Sequence, residues 1–127
     1  LNNKRIEHFS DIKAWQYAHK LVLDIYNLTK IFPKEEIYGL TSQLRRSALS
    51  ITSNIAESMG RFSYKDRIRF LYNSRGSLFE VESLLITSKD LGLISKQEFD
   101  SLESTIIESR KVLNGFISST EKLLDVN

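Results

Sequence analysis

The sequence predicts an all-α protein, an antiparallel up-down-up-down four-helix bundle. Apolar residues recur at three- and four-residue spacing in four separate stretches, as in amphipathic helices. Glycine and proline are scarce, at five and one in 127 residues, which argues against a turn-rich β fold. The connections between the four stretches are short, and short connections join antiparallel neighbours. The length suits one core, so residues 1–127 are expected to form a single domain.

The first helix is predicted to begin near Ser10 or Asp11, either of which suits an N-cap, and to end before Pro33. Its apolar stripe consists of Ile12, Trp15, Ala18, Val22, Ile25 and Thr29. Leu21 and Leu28 lie outside this stripe, so a second face of the helix is expected to be covered as well.

The second helix is predicted from Leu40 to a stop at Gly60, and it is expected to lie at the centre of the bundle. Small residues are dense on it, namely Ser42, Ser47, Ser50, Thr52, Ser53, Ala56 and Ser58. Small side chains let neighbouring backbones approach, so this helix should be contacted on more than one side.

The third helix is predicted to start at a cap formed by Ser63 with Asp66 and to end at Gly92. One broad face carries Ile68, Leu71, Tyr72, Leu78, Leu85 and Ile86, and a second stripe carries Phe70, Ser74, Ser77, Val81, Leu84 and Ser88. Gly76 lies inside this helix, where glycine weakens helical structure. Close approach of another backbone would explain it.

The fourth helix is predicted to begin at a capping box formed by Ser95 and Glu98, with Ile94 and Phe99 placed as a hydrophobic staple. It then runs through Leu102, Ile106, Leu113, Phe116, Ile117, Thr120 and Leu123, and Gly115 interrupts it.

Catalysis is not expected from this sequence. Di-metal carboxylate sites in bundles need Glu-x-x-His pairs, but Arg5 and Gln16 precede His8 and His19 at that spacing. Cysteine is absent, which excludes disulfides, thiolate zinc sites and a cysteine nucleophile. No phosphate-binding glycine loop or nucleophile elbow is present. We therefore predict no catalytic residue, no metal and no cofactor.

Charge is unevenly distributed along the chain. The net charge is +2, but residues 37–75 carry seven basic and two acidic groups, whereas residues 76–127 carry five basic and nine acidic groups. The seven basic residues, called the basic band here, are the candidate nucleic-acid contacts: Arg45, Arg46, Arg61, Lys65, Arg67, Arg69 and Arg75. A basic middle and an acidic C-terminal part suggest either polyanion binding or complementary packing between subunits.

Aromatic residues interleave with the basic band, at Phe62, Tyr64 and Tyr72. Basic groups neutralise phosphates and aromatic rings stack on exposed bases, so RNA or DNA binding is one hypothesis. The competing interpretation is that the arginines are ordinary exposed charges of long helices, while Phe62 and Tyr72 belong to the core.

A homo-oligomer is predicted because apolar residues lie beside the main stripes, at Leu21, Leu28, Val81 and Leu84. Ser47, Ser50, Ser53, Ser74 and Ser77 are expected to allow close helix contacts between subunits. The alternative function is a protein-interaction or structural scaffold ring without nucleic-acid binding. In that case Arg45 and Arg46 could pair with the acidic C-terminal half of a neighbouring subunit.

No stretch approaches the roughly 18–20 apolar residues of a membrane span, and the start has no apolar signal core. With no cysteine, these features favour a cytoplasmic protein without a membrane partner.

Four segments together resemble the bacterial 23S ribosomal RNA intervening-sequence proteins: DIKAWQYAHKL, LTSQLRRSALSITSNIAES, FLYNSRGSLFEVESLL and SRKVLNGFISS. The family commonly has Pro where this chain has Thr52, and Gly where it has Ser58. The resemblance implies an antiparallel bundle that assembles as a ring, usually of five subunits. The family name records where some of the genes lie and is not a biochemical activity.

More distantly, the chain resembles the accessory variability determinant of diversity-generating retroelements. That protein is a basic pentamer that engages nucleic acid and a reverse transcriptase. The resemblance therefore implies three kinds of partner, which are further copies of this chain, RNA or DNA, and a nucleic-acid enzyme such as a reverse transcriptase.

Overall fold

A computed structural model describes residues 8–125 and confirms the all-α fold. Its helices are α1 (Lys13–Thr29), α2 (Leu40–Met59), α3 (Tyr64–Asp90) and α4 (Lys96–Asp125). Short 3₁₀ turns at Phe9–Asp11 and Lys34–Glu36 precede α1 and α2. Within residues 8–125 there is no strand, and no helix is long and apolar enough to cross a membrane.

The helices pack in a closed cycle, because α1 and α3 each contact both α2 and α4. Three contacts between α3 and α4 show that these helices run in opposite directions. They join Tyr72 to Glu121, Arg75 to Asn114 and Glu82 to Arg110. The bundle thus has a turn end, at the α2–α3 connection (residues 60–63), and a linker end, at the α1–α2 connection (residues 30–39).

The core is built from one apolar stripe of each helix. Its largest fully buried side chains are Leu21, Ile25, Leu44, Ile51, Ile55, Leu71, Leu78, Val81, Leu85, Ile106, Leu113 and Ile117. Leu21 and Val81, which the sequence offered as surplus apolar residues for a subunit interface, are completely buried within the single chain. Leu28 and Leu84 pack partly buried against the same core.

Serine residues allow α2 and α3 to approach closely within one chain. Ser74 Oγ donates to the Ile51 carbonyl oxygen at 2.8 Å, and Ser77 Oγ donates to Ser50 Oγ at 2.9 Å. Ser47 is buried as well. Of the five serines expected between subunits, only Ser53 is exposed.

Local capping signals set three of the helix boundaries as predicted. The Glu98 N–H donates to Ser95 Oγ at 3.0 Å, and the Ser95 N–H donates to Glu98 Oε1 at 2.8 Å, which completes the capping box. Ser63 Oγ accepts from the Asp66 N–H at 3.1 Å. Gly92 has a φ of +79° just beyond α3, a left-handed conformation that glycine adopts without strain.

Two boundaries differ from the prediction. Helix α1 begins at Lys13 and has no side-chain cap, since Ser10 and Asp11 belong to the preceding 3₁₀ turn, where His8 Nδ1 accepts from the Ser10 N–H. Gly60 follows α2 as expected but has a φ of −85°, so it continues the helical geometry and makes no left-handed turn.

Three further expectations within the helices are not met. Tyr72 and Ile86 are 43% and 41% exposed, because each follows a buried leucine and points about 100° away from it around the helix. Leu123 is exposed near the end of α4. Gly76 and Gly115 have no atom within 4 Å of an added Cβ, so no other backbone approaches them within the bundle.

Candidate nucleic-acid interface

The basic band does not form one surface. Arg61, Lys65, Arg67 and Arg69, here called the turn cluster, lie around the α2–α3 turn. Arg45 and Arg46, the linker pair, lie in the first half of α2, and the helix runs about 21 Å from Arg45 to its end at Met59. Arg75 lies between the two, on the side of α3 that faces α4.

The turn cluster is organised around the ring of Phe70. The guanidinium groups of Arg61 and Arg69 lie 4.6 and 4.8 Å from its centroid. Such cation–π contacts hold flexible side chains in place while leaving their charge intact. Arg67 Nε donates to the Arg61 carbonyl oxygen at 2.8 Å, which ties the first turn of α3 to the α2–α3 connection.

Two carboxylates partly neutralise the turn cluster. Arg61 pairs with Glu57 at 3.0 Å and Arg69 with Asp66 at 3.6 Å, both at exposed positions. Exposed pairs of this kind contribute little stability, so a polyanion can compete for the arginines. Lys65 is exposed and has no ion-pair partner in the described part of the chain.

Phe62 is the most exposed aromatic residue of this region. Its side chain is fully exposed in the turn between Arg61 and Ser63, so the interpretation that placed it in the core is wrong. Tyr64 lies half-buried with the Arg67 guanidinium 5.5 Å from its ring centroid. An exposed ring next to Arg61, in a turn rich in cations, has the chemistry needed to stack on a base while nearby cations contact phosphates.

Tyr72 is also outside the core. Its hydroxyl donates a hydrogen bond to the Glu121 carboxylate, and this bond raises the pKa of the phenol above its ordinary value. The Arg75 guanidinium lies 5.0 Å from the Tyr72 ring centroid and donates to Asn114 Oδ1 at 3.3 Å. Arg75 and Tyr72 are therefore engaged with α4 and lie apart from the turn cluster.

A row of aromatic rings occupies the turn end of the bundle, where α1 begins. The ring centroids are 4.2 Å apart for His8 and Phe9, 5.4 Å for Phe9 and Trp15, and 4.6 Å for Trp15 and His19. Trp15 and His19 are nearly parallel, at 11°. The sequence interpretation missed this row, although the four-residue spacing of Trp15 and His19 on one helix face was a usable signal.

The linker pair has different surroundings. Arg45 Nε donates to Thr29 Oγ1 at 2.8 Å, and its guanidinium carbon lies 4.5 Å from the Tyr26 ring centroid. Arg46 is exposed. Neither arginine is in a salt bridge with any carboxylate of residues 8–125.

Metal ligation finds no support in the described residues, where no three histidine, aspartate or glutamate side chains are grouped to hold an ion. His8 and His19 belong to the aromatic row. The arrangement suits binding of anions and planar rings.

Comparison with known proteins covers most of the chain. Residues 10–115 match the sequence model of a protein family, which is described as 23S rRNA-intervening sequence protein. A crystal structure of a protein of unknown function from the S23 ribosomal protein family of Bacteroides thetaiotaomicron is similar in fold. It has a TM-score of 0.76 at 24% identity, over 83% of this chain and 95% of that one. No curated protein matches the chain.

Proposed function

This chain belongs to the 23S rRNA-intervening sequence protein family, and we propose that it acts without catalysis, as a homo-oligomeric bundle that binds RNA or DNA at its turn end. The ring of five subunits implied by the family resemblance is part of this proposal. So is a cytoplasmic site of action, where nucleic acid is accessible.

The observation that carries the proposal is the fully exposed ring of Phe62 within the turn cluster. Exposing a phenylalanine to water is unfavourable for an isolated chain, because burial of apolar surface lowers the free energy. The turn cluster beside this residue contributes four cations, and only two carboxylates accompany them, Glu57 and Asp66. A nucleic acid satisfies both features, since its bases cover the ring and its phosphates pair with the cations.

Single-stranded nucleic acid is the expected ligand. Bases of an intact duplex are already stacked on each other, whereas unpaired bases are free to stack on protein rings. The aromatic row that includes Trp15 and His19 lies at the same end and offers further ring surface. Repetition of this end around an oligomer multiplies the contacts one strand can make.

The test is charge reversal of the two turn-cluster residues that are exposed and not buried against α2. A Lys65→Glu, Arg69→Glu variant should lose binding to labelled single-stranded RNA in fluorescence anisotropy at low salt. Wild-type binding should be largely independent of sequence and should weaken steeply with salt, because each neutralised phosphate releases counterions. Arg61 and Arg67 are left intact, since both are partly buried.

The matched control is Lys30→Glu, Lys34→Glu, which changes the net charge equally at exposed positions of the linker end. It should retain most of the affinity. Circular dichroism and light scattering should be unchanged for both variants. If wild type binds no single-stranded RNA, duplex RNA or duplex DNA at low salt, nucleic-acid binding is excluded and partner docking remains.

Partner docking is the second candidate function. Ile37, Tyr38 and Leu49 expose large apolar side chains near the linker end of α2. Apolar surface of this kind supports a contact with another protein. A nucleic-acid enzyme such as a reverse transcriptase, as the distant resemblance implies, could dock there while the turn end holds the nucleic acid.

A further inference from the structure

An open groove of about 730 Å³ lies beside the first half of α2, at the linker end. The residues that matter for its chemistry are Tyr26, Thr41, Ser42, Arg45, Arg46 and Leu49. No acidic side chain lines it among the described residues. Two positive charges therefore face this groove. Arg46 also borders a neighbouring cavity that Glu80 lines, but the two form no salt bridge.

Arg45 is held rigidly at the groove. Its Nε donates to Thr29 Oγ1 at 2.8 Å, an Nη atom donates to the Tyr26 carbonyl oxygen at 3.4 Å, and the guanidinium lies over the Tyr26 ring. These contacts leave further N–H donors of the guanidinium unused, because arginine has five. A positioned guanidinium loses less conformational freedom when it binds an anion than a free one does.

Thr41 supplies an independent observation. It is 8% exposed, lines the groove, and its hydroxyl is buried with no hydrogen-bond partner. Buried hydroxyls are nearly always paired, because an unpaired one loses its bond to water without replacement. An oxygen acceptor that enters the groove would give this hydroxyl a partner once the side chain rotates toward it.

The backbone at the start of α2 adds to the positive potential of the linker end. Thr41 and Ser42 belong to the first turn of α2, a helix of twenty residues whose N–H groups there lack helical partners. Glu36 Oε1 accepts only the Leu40 N–H, at 3.2 Å. The unpaired N–H groups of this turn therefore add partial positive charge at the linker end, which the Glu36 carboxylate partly offsets.

We infer that this groove is a phosphomonoester site. A phosphomonoester carries nearly two negative charges and three acceptor oxygens, which matches two arginines and two hydroxyls better than a carboxylate does. Leu49 and Ile37 expose apolar surface in the groove for the remainder of the ligand. The site is independent of the turn cluster and of the nucleic-acid binding proposed there.

Isothermal titration calorimetry tests the site with inorganic phosphate, a nucleoside 5′-monophosphate and the same nucleoside without phosphate. Wild type should bind the two phosphates and not the nucleoside. Arg46→Gln and Thr41→Val should each weaken binding about tenfold, the expected loss of one charge-assisted hydrogen bond. Lys122→Gln removes one exposed charge near the turn end of the bundle, outside both proposed sites, and should leave the affinity unchanged.

Thr41→Val also separates a ligand role from a structural one. The valine keeps the shape of the side chain, and the hydroxyl has no partner to lose, so the urea midpoint without ligand should not fall. Tighter binding of the nucleotide than of phosphate would identify a nucleotide or a phosphorylated nucleic-acid end as the ligand. Equal binding would identify free phosphate, and either result supports the site.

Four outcomes would overturn the inference. The first is no binding of phosphate or nucleotide by wild type at millimolar concentration, and the second is unchanged binding by the two groove variants. The third is an equal loss of affinity in Lys122→Gln, and the fourth is equal binding of the bare nucleoside. A change of oligomeric mass in Arg46→Gln would also overturn it, because the groove would then be a subunit contact.

Discussion

Phe62 owes its position to its neighbours in the chain. On one side Ser63 caps α3 through the Asp66 N–H, and on the other the Arg61 carbonyl oxygen accepts from Arg67. These bonds define the α2–α3 connection from both sides, and the phenylalanine between them extends into water. A residue that contributes nothing to the core can be replaced without loss of stability, which makes it a clean probe of binding.

We expect Phe62→Ala to leave the free energy of unfolding within about 0.5 kcal/mol of wild type, as for exposed sites generally. Its affinity for single-stranded RNA should fall by about 1–3 kcal/mol, the range for loss of one stacked base. Urea denaturation and fluorescence anisotropy measure the two quantities. Tyr38→Ala, at an equally exposed aromatic position of the linker end, is the control and should keep its affinity. A loss of stability without a loss of affinity would contradict the stacking role.

At the scale of the element, α3 contains a glycine that its own bundle does not require. Gly76 lies in the interior of a 27-residue helix, on its exposed side, and a Cβ there would meet nothing within 4 Å. Glycine in a helix interior costs free energy because the unfolded chain has more conformations to lose. The cost is not offset by any contact within the described bundle.

Gly76→Ala should therefore raise the free energy of unfolding by about 0.5–1 kcal/mol. Chemical denaturation with an unchanged m-value would measure it. Gly92→Ala is the opposite control, since a φ of +79° strains alanine and the variant should be less stable than wild type. If Gly76→Ala instead lowers both the stability and the oligomeric mass, the glycine serves a backbone contact between subunits and the prediction is wrong.

At the scale of the whole molecule, the apolar surface left for a partner lies away from the residues that the sequence suggested. Leu21 and Val81 are buried in the core. Leu23, Leu49 and Phe79 are instead exposed, on α1, α2 and α3. A closed ring needs two different complementary surfaces on each subunit. Exposed apolar residues on several helices are compatible with that requirement.

Light scattering at micromolar concentration should therefore show a homo-oligomer, with five times the subunit mass of 14.7 kDa favoured by the family resemblance. Arg45→Gln should leave this mass unchanged, because Arg45 makes its contacts within its own chain, with Thr29 and Tyr26. A monomer would refute the ring. A mass change in Arg45→Gln would instead support the alternative that this arginine pairs with acidic residues of another subunit.

Local sequence patterns predict the four helices and most of their ends. The bounds of α2, the caps at Ser63 and Ser95 and the stop at Gly92 follow from interactions between residues three to five positions apart. Such interactions depend on local spacing alone, so they can be predicted without knowing what packs against the helix. The family resemblance rested on the same continuous segments, and the match over residues 10–115 confirms it.

The tertiary packing fixes which helix faces contact each other and which charged side chains lie close together. Each residue turns a side chain by about 100°, so a small error in assigning a face exchanges a core position such as Leu71 for an exposed one such as Tyr72. A rigid helix also keeps residues apart that the sequence groups together. The basic band is continuous in composition, yet α2 separates Arg45 from Arg61. The helix extends about 21 Å from Arg45 to its end at Met59, and a rigid helix cannot fold these residues onto one surface.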